Sequence, residues 1–116
     1  MDSSWIPVIA VALLLGWFLA RTRLGKVAPE KARALVAEGA LLLDVRTPGE
    51  FSSGHIRGAK NVPLHELSAR AASIAEKNKT IVVYCQSGMR SASAAGVLRK
   101  AGAEVHDLGA MARWPA

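Results

Sequence analysis

Apolar residues fall into four short runs separated by longer stretches with helical spacing. Residues 81–84 (IVVY) are continuous, apolar and mostly β-branched, the pattern of a parallel strand buried on both faces. Residues 40–45 (ALLLDV) form a second run that ends at the carboxylate of Asp44. A short third strand is expected near residues 59–62, stopped by Pro63, and a last one over residues 104–108 (EVHDL).

Helical signals fill the gaps. Residues 29–38 begin with proline and glutamate and stop at Gly39, with Ala32, Leu35 and Val36 as the buried side. Thr47, Pro48 and Glu50 make a capping box for a short helix ending near Ser53, with Phe51 expected to point inward. Residues 64–77 place Leu64, Leu67, Ala71, Ile74 and Ala75 on one helical face. Residues 91–100 form the last helix, with Gly102 as its stop. Trp114, in the tail over residues 109–116, is expected to cover an edge of the core. Strands alternating with helices predict one α/β domain, a mostly parallel central sheet flanked by helices.

One stretch does not fit that pattern. Residues 5–20 (WIPVIAVALLLGWFLA) carry no charge, and Ser3 and Ser4 extend the uncharged run to eighteen residues. As a helix that run spans roughly 27 Å, near the hydrocarbon thickness of about 30 Å. Trp5 and Trp17 sit near its ends, as interfacial rings do, and Pro7 falls where a missing N–H costs little. Positive charge follows the run rather than preceding it, so a cleaved signal peptide is disfavoured, and no polar stripe marks a core helix. The expectation is a transmembrane anchor over residues 1–23, in contact with lipid through residues 3–20, ahead of a domain over residues 24–116. Arg21, Arg23 and Lys26 then place that domain on the cytoplasmic side of a single-pass, bacterial inner membrane protein.

Composition changes this picture little. The formal charge is +6, but three of the 15 basic residues and one of the nine acidic ones lie in residues 1–28. The remaining charges are scattered without a basic run, which argues against nucleic-acid binding. The single cysteine, Cys85, excludes an intramolecular disulfide and a multi-cysteine zinc site, and a lone thiol suits a reducing compartment.

Cys85 is where the candidate chemistry lies. It ends the apolar run 81–84 and opens the loop Cys85-Gln86-Ser87-Gly88-Met89-Arg90-Ser91 before the last helix. Free cysteine is often only a small buried hydrophobe, but strand C-termini are where α/β sheets place ligands. Gly88 lets the loop curl so that successive N–H groups converge, and the helix N-terminus adds positive potential. Both favour thiolate. Arg90 could bind a substrate anion or pair with a carboxylate such as Asp44 or Glu50. Arg46 could form a salt bridge to Glu50. Of the histidines, His55 suits a backbone hydrogen bond, His65 a solvated helix face, and His106 is not needed as a base for Cys85.

The loop from Cys85 to Ser91 resembles the active-site loop of single-domain rhodaneses, the sulfurtransferases. Asp44-Val45-Arg46 with Glu50 and Phe51, Gly54-His55-Ile56 with Gly58-Ala59, and Asn61 and Pro63 are also similar to that family, as is the ending from Gly109 to Trp114. The resemblance covers residues 27–114 and implies a rhodanese-like domain without cofactor or metal. It implies transfer of a sulfane sulfur from a small donor such as thiosulfate to cyanide or a cellular thiol, through a Cys85 persulfide. Gln86, Ser87, Gly88, Met89 and Arg90 would cradle the persulfide. Phosphatases of related fold place five residues between cysteine and arginine; here there are four, a ring sized for one sulfur atom. Met89 stands where some thiosulfate-using relatives carry a basic residue, which leaves the physiological donor open. The competing expectation is an idle rhodanese module used for docking at the membrane.

Overall fold

The computed structural model describes residues 3–115, with the side chains of residues 18–24 outside that description. Helix α1 (Ile6–Leu24) is followed by α2 (Pro29–Ala37), β1 (Leu41–Asp44), α3 (Pro48–Ser53) and β2 (Lys60–Asn61). Then come α4 (Leu64–Lys77), β3 (Thr80–Cys85), α5 (Met89–Lys100), β4 (Glu104–Ala110) and a 3₁₀ turn (Met111–Arg113). The four strands are all parallel, in the order β2-β1-β3-β4. The expected α/β architecture is therefore present, and β1 and β3 end side by side with Asp44 opposite Tyr84.

Side-chain alternation divides the core into two layers. Leu43, Val45, Ile81, Val83, Cys85 and Val105 face α4 and α5, against Leu67, Ala71, Ile74, Ala94, Ala95 and Leu98. Leu42, Val82, Tyr84 and Leu108 face the other way, against Ala32 of α2 and Ile56, with Met111 and Trp114 at the edge. Full burial of one such side chain contributes roughly 1.5–3 kcal/mol. A one-residue slip of β3 would reverse the facing of every residue from Ile81 to Cys85, so packing fixes its register.

Local chemistry explains most element ends. Thr47 and Glu50 form the capping box in both directions, and Pro48 opens α3. Two boundaries and one side chain differ from expectation. Helix α5 starts at Met89 because Gly88, at φ +109°, already turns the chain. Strand β4 runs two residues further, to Ala110, and contains a bulge: Val83 pairs with Asp107 but Tyr84 with Gly109. The extra residue turns Gly109 towards the end of β3. Phe51 is not in the core; it is half-buried and stacks on His55 with ring centroids 3.7 Å apart.

The expected transmembrane anchor is not supported. Among the described residues no helix is long and apolar enough to cross a membrane. The helix begins at Ile6 rather than Ser3, and Arg21 and Arg23 fall within it. Its uncharged part therefore reaches only from Ile6 to Ala20, roughly 22 Å against a hydrocarbon core of about 30 Å. The end of that segment, from Phe18 on, and residues 1–2 lie outside the described side chains.

Candidate functional site

Strand β3 delivers Cys85 to the C-terminal edge of the sheet, and α5 begins four residues later. The residue is completely enclosed, at 0% exposure. Gly88 N–H donates to its Sγ at 3.0 Å, and Ser91 N–H donates at 3.3 Å. Two donors at a helix N-terminus stabilise negative charge on that sulfur. Ser91 lies outside the expected set from Gln86 to Arg90, because α5 starts earlier and its first turn wraps back over the sulfur. Ser91 Oγ also donates to Gly88 O, which closes the loop on itself.

The remaining loop residues take separate roles. Gln86 is exposed, and its Oε1 accepts from Arg46 Nη1 at 3.1 Å. Ser87 is exposed, and Met89 is 81% exposed, so both sit at the rim. Arg90 forms a bidentate ion pair with Glu50, Nη1 to Oε1 at 2.6 Å and Nη2 to Oε2 at 3.0 Å. The open question of its partner is thus answered by Glu50, which ties α3 to the first turn of α5.

Arg46 does not pair with Glu50. Its Nε and Nη2 donate to Asp44 at 3.1 and 2.8 Å, Nη2 also donates to Gly54 O at 2.6 Å, and both residues are buried. Asp44 Oδ1 takes the Arg46 N–H as well, at 2.8 Å. Asn61 donates to the carbonyls of Asp44 and Arg46, so this corner has dense hydrogen bonding. The Asp44 carboxylate raises the pKa of the Arg46 guanidinium, which stays charged. Tyr84 OH accepts from Ile56 N–H at 3.1 Å, and burial pushes its phenol well above the ordinary value.

His55 Nδ1 lies 2.8 Å from Phe51 O, a backbone contact as expected. His65 is exposed. His106 aligns with Val82, well before the end of β3, and its Nε2 lies 3.3 Å from Glu104 Oε1 rather than at the sulfur.

One contact had no signal in the sequence. Lys26, which reads there only as a basic residue after the apolar run, donates to Gly88 O at 3.2 Å and pairs with Asp107 Oδ2 at 2.6 Å. The β4 bulge that brings these groups together is invisible in residue periodicity.

The Glu50 latch is acid-sensitive. Its hydrogen bonds from Arg90, then from the Thr47 backbone, hold the carboxyl below its ordinary 4.5, at about 2. A depressed carboxylate contributes stability that is present above 4.5 and lost as pH falls towards about 2. Thermal melts of wild type and Glu50→Gln should therefore differ near neutral pH and converge in that acid window. Because the pair is partly solvated, the difference should be modest and shrink in high salt. A difference that persists unchanged at the acid end would contradict the latch.

The profile of the rhodanese-like domain matches residues 28–116. The uncharacterized protein YqhL of Bacillus subtilis is 36% identical over 97% of this chain and 93% of its own length. The thiosulfate sulfurtransferase PspE of Escherichia coli is 39% identical over 52% of this chain, which spans 59% of that relative's length. The solved structure of the human single-domain sulfurtransferase TSTD1 superposes with a TM-score of 0.60 at 28% identity, over 73% of this chain and 90% of that one. With the parallel sheet, the cysteine loop and the family match in agreement, this chain belongs to the rhodanese-like domain family.

Proposed function

We propose that the protein is a sulfurtransferase in which Cys85 carries the transferred sulfur. The carrying observation is the convergence of the Gly88 and Ser91 N–H groups on Cys85 Sγ at the start of α5. In the first half-reaction the Cys85 thiolate attacks the outer sulfur of a donor such as thiosulfate. A new S–S bond forms, and the bond to the sulfonate sulfur breaks with its electron pair, releasing sulfite. The persulfide keeps one negative charge at its outer sulfur, which the loop amides from Gln86 to Arg90 would hold, with the Gly88 and Ser91 N–H groups that reach Cys85 Sγ as the support for that reading. In the second half-reaction cyanide or a thiolate attacks that outer sulfur, and the electron pair returns to Cys85.

Both steps use an anion-stabilising pocket around Cys85, whose sulfur is the nucleophile in the first and the leaving group in the second. The enclosure of Cys85 favours transfer of a single atom, since a bulky electrophile would have to displace the rim side chains. With Arg90 paired to Glu50 and Arg46 to Asp44, backbone N–H groups supply most of the anion stabilisation.

Thiosulfate treatment followed by mass spectrometry tests the reading. The expected product is protein heavier by one sulfur atom, located on Cys85 and removed by cyanide. Wild-type protein that never gains this mass, while its cysteine remains reduced, would leave the docking-module reading instead. Lipid contact through residues 3–20 belongs to the same proposal. Trp5, just ahead of α1, and Ile6, Val8, Ile9, Val11 and Leu13–Leu15 on it are all exposed, which an aqueous setting disfavours. Recovery of the full chain in the soluble fraction without detergent would overturn that location.

A further inference from the structure

Lys26 is two residues beyond the end of α1, far in sequence from the cysteine loop, yet it reaches the loop's one left-handed residue. Its Nζ is 3.2 Å from Gly88 O and 2.6 Å from Asp107 Oδ2. Asp107 is nearly buried, and its other oxygen accepts from Gly109 N–H at 2.8 Å. The aliphatic stem of Lys26 lies across Gly109: a Cβ built there would meet Lys26 Cδ at 3.3 Å and Cε at 3.4 Å. A Cβ on Gly88 would sit 3.7 Å from Gly109 Cα and 3.8 Å from Lys26 Nζ. The two glycines and the lysine therefore form one close-packed joint between β4 and the sulfur loop. Val27 N–H donates to Asp107 O at 2.8 Å and fixes the lysine's own backbone to the same strand.

Resting on the sulfurtransferase reading above, we propose that Lys26 is a positioning residue that holds Gly88 so that its N–H points at Cys85 Sγ. Gly88 is gripped on both sides. Its N–H faces the sulfur, while its carbonyl accepts from Lys26 Nζ, Ser91 Oγ and Ala92 N–H. Glycine at φ +109° has a wide choice of conformations, so the carbonyl contacts decide which one the loop keeps. Of these contacts, those from Ser91 and Ala92 belong to α5 itself and move with the loop. The Lys26 contact alone among the three refers the loop to the sheet. Because Asp107 neutralises the ammonium, Lys26 acts through geometry more than through its net charge.

The plain structural alternative is that Lys26 merely ties the segment after α1 to β4. The two roles separate in the full-length chain with two substitutions. Lys26→Met keeps an unbranched stem on Gly109 and removes the donor; Lys26→Arg restores a donor. Lys26→Met should lower kcat for sulfur transfer about 10-fold with KM for thiosulfate nearly unchanged, as loss of alignment at the reacting atom does. Lys26→Arg should recover most of that loss. Amide exchange of Gly88, followed by NMR, should be several-fold faster in Lys26→Met and near wild type in Lys26→Arg. Wild-type kcat in Lys26→Met, or a fall in thermal stability with Gly88 exchange unchanged, would overturn the proposal. The exchange measurement does not depend on the reaction. If the wild type transfers no sulfur, the functional reading fails, while unchanged Gly88 exchange remains the result that removes the role of Lys26.

Discussion

Cys85→Ser is expected to abolish thiosulfate-to-cyanide transfer, by about 10³-fold or more, while leaving the fold in place. The oxygen of serine can still accept from the Gly88 and Ser91 N–H groups that now reach Sγ at 3.0 and 3.3 Å. The loop keeps its partners, so the substitution isolates nucleophilicity from structure. Hydroxyl is a poor nucleophile towards sulfur, and no second cysteine exists to replace the first. Cys85→Ala makes a useful contrast. It also removes the acceptor, so it should cost stability on the order of 1–2 kcal/mol in addition to the lost activity. Activity above one tenth of wild type in either variant would remove Cys85 from the mechanism. Circular dichroism and urea midpoints on the same samples show whether lost activity reflects lost fold.

How much of this site could be read from residues alone follows from which interactions are local. The capping box at Thr47 and Glu50 uses residues three apart, and the structure contains it in both directions. The strand ending at Cys85 and the helix after it follow from a β-branched run and a glycine. The opposite holds for partners chosen across the sheet. A salt bridge to Glu50 is one pairing open to Arg46 in the sequence, yet it turns to Asp44, two residues back, leaving Glu50 for Arg90. Spacing could not rank these pairings, since all four side chains gather at one strand edge. Ser91 N–H and Lys26 reach the site through the early start of α5 and the bulge in β4, and neither feature has a periodic signature. The uncharged run over residues 3–20 is helical, but only from Ile6 on, and the helix continues into the charged residues that follow the run. The helix starts at Ile6, and a run's span depends on where its first turn forms.

The largest expected loss of stability is at the Asp44–Arg46 pair rather than in the apolar core. Asp44 is 0% exposed and Arg46 3%, so neither charge can be rescued by water if the other is removed. Asp44→Ala strands the guanidinium, deleting the acceptor for its Nε and Nη2 and for the Arg46 N–H. An unpaired buried charge of this kind costs about 3–5 kcal/mol, a large fraction of the 5–15 kcal/mol that holds a domain folded. Urea unfolding should show a midpoint shift to match, with Asp44→Asn intermediate because it keeps one acceptor. Replacing both residues by apolar ones, Asp44→Leu with Arg46→Met, should recover much of the stability, since removing the pair together leaves no orphaned charge. Catalysis should not recover with it. Arg46 Nη1 also holds Gln86 Oε1 at 3.1 Å, so the double variant should fold yet transfer sulfur more slowly through a loosened loop. A single Asp44→Ala change costing less than about 1 kcal/mol would mean that the pair is solvated in solution, and the ordering of the loop would then have to come from α5 alone.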